Sequence, residues 1–183
     1  GWADGGYDRI DELASPEDFK GKWNHWAFTK NAVAGTMKVY LNGQLWHQGT
    51  GKTKPMNDIT KFTVGSRGSL GNDGYYEGMI DEFCIWNMEL SEATIQEWMF
   101  REVTNSHPYF QNLVAYYKFD ENNGFYTSDF SPYNLSAELT GAPQWTNYKG
   151  KDRIKNFGFS PLRPMIMIEK GTYDAGNMDS VLV

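Results

Sequence analysis

Gly74–Val103 reads GYYEGMIDEFCIWNMELSEATIQEWMFREV, and its two halves decide the fold. Tyr75 to Trp86 is rich in aromatic and β-branched residues and predicts a long strand that breaks at Asn87. Ser91 then opens an amphipathic helix, because its hydroxyl can accept an orphan backbone N–H of the first turn and Glu92 suits the positive end of the helix dipole. Leu90 and Ile95 occupy the two positions of a hydrophobic staple. Ile95, Trp98 and Met99 share one face, flanked by Glu92, Gln96, Glu97 and Arg101. Burying those three side chains contributes about 1.5–3 kcal/mol each before entropy is counted. A single helix in a chain of strands is expected to clamp onto a sheet sandwich.

A chain of 183 residues suits one domain, or one domain with a smaller appendix, and can bury a substantial core. Aromatics make up 16% of it, and Gly and turn residues separate short apolar runs, which favours an all-β class. The net charge of -6, with no basic cluster, argues against a nucleic-acid partner. The one cysteine, Cys84, sits inside the predicted strand as a small core residue, so there is no disulfide framework and no zinc-type spacing. No run reaches the roughly 18 apolar residues of a membrane span. The chain opens on Gly1-Trp2 without a leader or a starting Met, which reads as a portion of a longer polypeptide.

Around the central stretch, Ser15-Pro16-Glu17-Asp18 predicts a helical turn with proline at its first position. Trp23 to Thr29 alternates as a strand, with Trp23, His25, Ala27 and Thr29 on one side and Asn24, Trp26 and Phe28 on the other; aromatics on both sides imply a strand covered twice. Thr36–Leu41 and Gln44–Gln48 form a hairpin about Asn42-Gly43, two residues that tolerate positive φ. Lys61–Val64 is a further strand, followed by a glycine-rich loop over 65–74. Leu113 to Phe119 and Met165-Ile166-Met167-Ile168 are strands of the second half, and the tail from Gly171, ending in Val181-Leu182-Val183, is expected to be mobile.

The succession WNHWAFT, VYLNG, FTVGS and YYEGMIDEFCIWNMELS resembles the second half of a LamG-like jelly-roll domain of the concanavalin A-like superfamily, over about Trp23 to Val103. The resemblance implies a two-sheet antiparallel sandwich with a short helix resting on one sheet. LVAYYKFDENNGFYTSDFSPYN resembles the opening strand and loop of such a domain, so the order differs from that of one ordinary domain. The nearest similarity is to the C-terminal part of large surface proteins of gut Bacteroidetes. The expected division is 1–104 as the second half of a LamG-like sandwich and 105–183 as a C-terminal segment or small module; Leu113 to Phe119 either pairs with the sandwich or belongs to the module.

Candidate chemistry follows from these placements. Adjacent acids such as Asp81 and Glu82 point to opposite faces of a strand and cannot flank one substrate. Hydrolytic relatives of the fold place Glu-x-Asp-x-x-Glu along one strand, and Glu77, Asp81 and Glu82 do not have that spacing. No catalytic residue is therefore assigned and the domain is expected not to be an enzyme. His25, His47 and His107 are scattered; the resemblance implies a core-facing position for His25, and His107, before Pro108, reads as a turn residue. Exposed aromatics suit the apolar C–H faces of sugar rings while amides read hydroxyls. Trp26, Phe28, Tyr40 and Trp46, with Asn42 and Gln44 and with Tyr75 and Tyr76 beyond the loop, are the candidate ligand-binding residues; the alternative is that these aromatics pack against first-half strands missing from this chain or against the C-terminal module.

Because LamG-like domains often hold one calcium ion through loop oxygens, the resemblance also nominates the loop around Gly124: Asp120, Glu121, Asn123 and Asp129. It implies a bacterial cell-surface location at the outer membrane, with a glycan or an outer-membrane uptake complex of SusC/SusD type as partner. A glycoside hydrolase completed by residues outside this chain is the third reading.

Overall fold

The computed structural model describes residues 2–3, 6–56, 59, 61–66, 76, 78–141, 143–146 and 165–169. In chain order the strands are β1 (Trp2–Ala3), β2 (Gly6–Tyr7), β3 (Trp26–Asn31), β4 (Thr36–Leu41), β5 (Gln44–Thr50), β6 (Lys61–Val64), β7 (Phe83–Trp86), β8 (Leu113–Tyr117), β9 (Tyr126–Thr127), β10 (Ala137–Thr140) and β11 (Met165–Glu169). The helices are α1 (Pro16–Phe19), one turn long, and α2 (Glu92–Trp98). Every described pairing is antiparallel, and the strands assemble as β1-β2, β3-β4-β5, β7-β8 and β6-β11-β10-β9. The class is all-β, an antiparallel sandwich of jelly-roll type with one short amphipathic helix.

The β7-β8 ribbon lies at the centre because both of its faces are apolar. Successive residues of a strand point to opposite sides. Phe83 and Ile85 accordingly join Val64, Val114, Ala115, Tyr117, Ala137 and Leu139 in one core, against the four-stranded sheet. Cys84 and Trp86 join Ala27, Tyr40, Leu90, Ile95, Leu113 and Tyr116 in a second, against the three-stranded sheet and α2. A register shift between Ile85 and Trp86 lets β8 supply Val114 and Ala115 to the same side. Leu113 to Tyr117 thus pairs with the first-half strand β7, and β11 pairs with β6, so both halves of the chain share these sheets.

The predicted strand from Tyr75 is shorter than expected. Tyr75 and Glu77 lie outside the described residues, and the ladder begins only at Phe83. Glu82 just before it has φ 54, a left-handed conformation that costs a non-glycine residue energy and interrupts extended backbone. The helix forms as its signals require. Ser91 Oγ accepts the Thr94 N–H at 3.1 Å, and the staple residues Leu90 and Ile95 are both buried in the second core. The β4-β5 hairpin turns on Asn42 (φ 51) and Gly43 (φ 77). Gln96 Nε2 donates to Gly43 O at 2.9 Å, and a Cβ at Gly43 would come within 2.9 Å of Met99 Sδ, so α2 seats on the turn. The tail from Gly171 lies outside the described residues.

Candidate functional site

The outer face of β3-β4-β5 presents the aromatic residues. Register places Phe28 opposite Val39, and Val39 opposite His47; it places Trp26 opposite Leu41, and Leu41 opposite Gln44. Cross-strand partners share a face, so Trp26, Phe28 and Gln44 stand on one side. A register shift between Val39 and Tyr40 leaves Trp46 as the extra residue of a bulge, and bulges re-aim side chains. The Trp46 ring meets Trp26 edge-on at 5.6 Å and 89°, while Trp26 and Phe28 are nearly parallel at 6.2 Å and 11°. Phe28 is 40% exposed, Trp26 and Trp46 are half-buried, and Gln44 is exposed.

The segment before α1 frames this face. Lys30, buried on β3, pairs with Asp8 at 2.5 Å, and Asp8 also accepts the Lys54 N–H at 2.9 Å. Burial works to raise the Asp8 carboxyl, but the hydrogen bonds from Lys30 and Lys54 outweigh it and hold the group below the usual carboxylate range. Ile10 lies against Gly49, where any side chain would collide with it, and Glu12 pairs with His47 Nδ1 at 3.1 Å. The expected double cover of β3 is therefore half met. This segment covers the Lys30 and Gly49 end, and Trp26, Phe28 and Trp46 remain at the surface beside it.

Of the predicted ligand-binding residues, Trp26, Trp46 and Gln44 come together here. Tyr40 does not; it is 3% exposed, paired with Ala27 on the inner face, and belongs to the second core. Asn42 is consumed by the turn: its Oδ1 accepts the His25 N–H at 2.9 Å and its Nδ2 donates to Asn24 Oδ1 at 3.0 Å. Tyr76, 51% exposed, is bonded through its backbone N–H to Gly65 O at 2.8 Å and has no ladder pairing with β3-β4-β5, and Tyr75 lies outside the described residues.

The nominated calcium loop is occupied by structural work. Asp129 is 5% exposed; its Oδ1 accepts the N–H groups of Tyr116 and Ser131 at 2.8 Å, and its Oδ2 accepts the Leu135 N–H at 2.7 Å. Glu121 Oε1 accepts Thr127 Oγ1 at 3.0 Å and the Ser128 N–H at 2.7 Å. Asp120 and Asn123 are exposed. No group of three or more His, Cys, Asp or Glu suited to a metal occurs among the described residues. Both oxygens of Asp129 and Oε1 of Glu121 thus meet backbone or hydroxyl donors, for which a hard cation would compete, while Glu121 Oε2 is buried with no hydrogen-bond partner among the described residues.

Two features went unread in the sequence. His107 is not only a turn residue; it is 3% exposed, held between the rings of Trp86 and Trp98 at 4.5 Å from each. Glu82, although exposed, accepts the Tyr116 hydroxyl, and partial loss of solvent around its carboxyl pushes the group up.

Comparison with known proteins agrees with this architecture. No curated protein and no solved structure matches the chain. Residues 1–96, more than half of the chain, match the model described as the concanavalin A-like lectin/glucanases superfamily. That match spans β1 to β7 and most of α2, the segments that build the aromatic face and all of the second core but Leu113 and Tyr116, and by it the chain belongs to the concanavalin A-like lectin/glucanases superfamily.

Proposed function

We propose that this chain is a non-catalytic glycan-binding domain of a bacterial cell-surface protein that serves nutrient capture. The carrying observation is the Trp26, Phe28 and Trp46 cluster, at the surface of a sheet and bordered by the exposed amide of Gln44. Sugar rings stack their C–H faces on such rings, and an amide supplies both a donor and an acceptor for hydroxyls. Membership of a superfamily that contains lectins is compatible with this reading. The cell-surface setting and the nutrient role rest on the resemblance to surface proteins alone.

A panel of glycans and oligopeptides tests it, with Trp26→Ala and Trp46→Ala beside the unaltered protein. Each substitution is expected to weaken sugar binding about tenfold or more, the scale of losing about 1.4 kcal/mol of contact. Circular dichroism should show the fold retained, since neither ring belongs to the two buried cores. Sugar binding unchanged in both variants would remove the site from this face. Peptide binding without sugar binding would turn the reading toward docking within an uptake complex.

A further inference from the structure

The chain holds two Asn-Gly pairs, Asn42-Gly43 and Asn123-Gly124, and the fold treats them differently. An asparagine followed by glycine is open to an internal reaction, because glycine has no side chain to shield its nitrogen and its backbone turns freely into the geometry of attack. The side-chain carboxamide must swing back over the following peptide, the glycine N–H must give up its proton to water, and the backbone must bend to close a five-membered ring.

At Asn42 both the carboxamide and the backbone are held. Oδ1 accepts the His25 N–H at 2.9 Å, Nδ2 donates to Asn24 Oδ1 at 3.0 Å, and the Asn42 N–H donates to His25 O at 2.8 Å. Gly43 is buried beneath α2: its carbonyl accepts from Gln96 Nε2 at 2.9 Å, and Met99 Sδ and Gln96 Cγ stand 2.9 and 3.0 Å from where a side chain would begin. At Asn123 these restraints are missing. Asn123 and Gly124 are both exposed, and neither the Asn123 carboxamide nor the Gly124 N–H has a hydrogen-bond partner among the described residues. The space around Gly124 is open, since a Cβ there would meet no atom within 4 Å.

We propose that Asn123 is a site of spontaneous deamidation, with water as the co-reactant, and that the fold protects Asn42, in the same dipeptide, from it. The Gly124 nitrogen gives its proton to water and attacks Asn123 Cγ. The new C–N bond closes a succinimide, and the carboxamide nitrogen takes up a proton and leaves as ammonia. Water then opens the ring at either carbonyl, leaving an aspartate or an isoaspartate whose main chain runs through the side-chain carbon. Either product adds a negative charge close in sequence to the exposed Asp120. Isoaspartate also lengthens the main chain by a methylene just before Gly124, whose carbonyl accepts the Trp145 Nε1–H at 2.9 Å. Ageing thus falls on this loop, while the turn that carries Gln44 to the aromatic face is spared; neither depends on what that face binds.

The test is to incubate the full chain at mildly alkaline pH, folded and in guanidinium chloride, and to read both sites by peptide mass spectrometry and by methylation with an isoaspartyl methyltransferase. In the folded chain Asn123 is expected to convert at least about tenfold faster than Asn42, because a hydrogen-bonded site reacts only through its locally opened fraction. In guanidinium chloride the two should convert at similar rates. Asn123→Gln should remove most of the isoaspartate formed by the folded chain, since glutamine would have to close a six-membered ring. Equal rates at the two sites of the folded chain, faster conversion at Asn42, or an Asn123 that reacts only when unfolded would each overturn the proposal. A difference of the same size in guanidinium chloride would assign it to neighbouring sequence and reject the protection by the fold.

Discussion

The two faces of the β7-β8 ribbon pack against very different cores. On one side, Phe83, Ile85, Val114 and Tyr117 meet the four-stranded sheet, and the polar tips find carbonyls: Tyr117 donates to Leu135 O at 2.7 Å and Trp145 Nε1 to Gly124 O at 2.9 Å. On the other, Trp86, Trp98, His25 and His107 leave nitrogen atoms unpartnered among the described residues, and a cavity opens between them. One strand pair thus separates a core built for cohesion from one that gives up cohesion for polar groups. Filled apolar contacts stabilise a domain, whereas buried unpaired polar groups are kept only where something else requires them. The difference separates a side whose polar groups are paired from one whose ring nitrogens are not paired among the described residues.

The largest expected effect tests that division directly. Phe83→Ala, on the filled side and 1% exposed, should cost about 3–5 kcal/mol in urea unfolding. Cys84→Ala, its neighbour facing the cavity side, should cost about 1 kcal/mol, in proportion to the smaller group removed. Equal losses would mean that the two sides are packed alike.

Acid should weaken the cavity side first. Burial lowers both His25 and His107 below the ordinary histidine value, so the unfolded chain takes up their protons before the folded one. Their contribution is complete above about pH 6.5 and is lost as pH falls below it. Glu82 works in the opposite direction, because its raised carboxyl binds a proton earlier in the folded state. Asp8, held low by Lys30 and Lys54 against the effect of burial, adds its own loss only below about pH 4. Urea midpoints from pH 7 to pH 5 should therefore fall more steeply for the unaltered chain than for a His25→Gln, His107→Gln double variant. Parallel curves would show that these imidazoles are not excluded from water.

Much of this frame was legible in the sequence because its signals are local. The Ser91 cap, the Leu90 and Ile95 staple, the Asn42-Gly43 turn and the strands Thr36–Leu41 and Lys61–Val64 all stand where residue chemistry puts them. The site was harder, although part of it was recoverable. A two-residue loop at Asn42-Gly43 pairs Leu41 with Gln44 and Tyr40 with Leu45, which already sets Gln44 and Tyr40 on opposite faces. Grouping Tyr40 with the surface aromatics overlooked that alternation. The bulge at Trp46, the left-handed Glu82 and the burial of His107 between two indoles depend on contacts distant in sequence, for which no local pattern stands in. Asp129 was visible as an oxygen donor, but its backbone partners Tyr116 and Leu135 come from the fold of the loop.

The smallest expected effect is also the sharpest for the comparison. Trp98 packs its ring against His107 from the last turn of α2 while its Nε1–H lacks a partner among the described residues. Trp98→Phe keeps an aromatic ring there and removes the donor. Lost contact area and relief of the unpaired N–H then oppose one another, and the net change should lie within about 1 kcal/mol of zero. A loss near that of Phe83→Ala would mean that the indole N–H is satisfied in solution and that the cavity side is held together as firmly as the other. A gain in stability would be the clearest sign that the unpaired N–H outweighs the contacts of the indole.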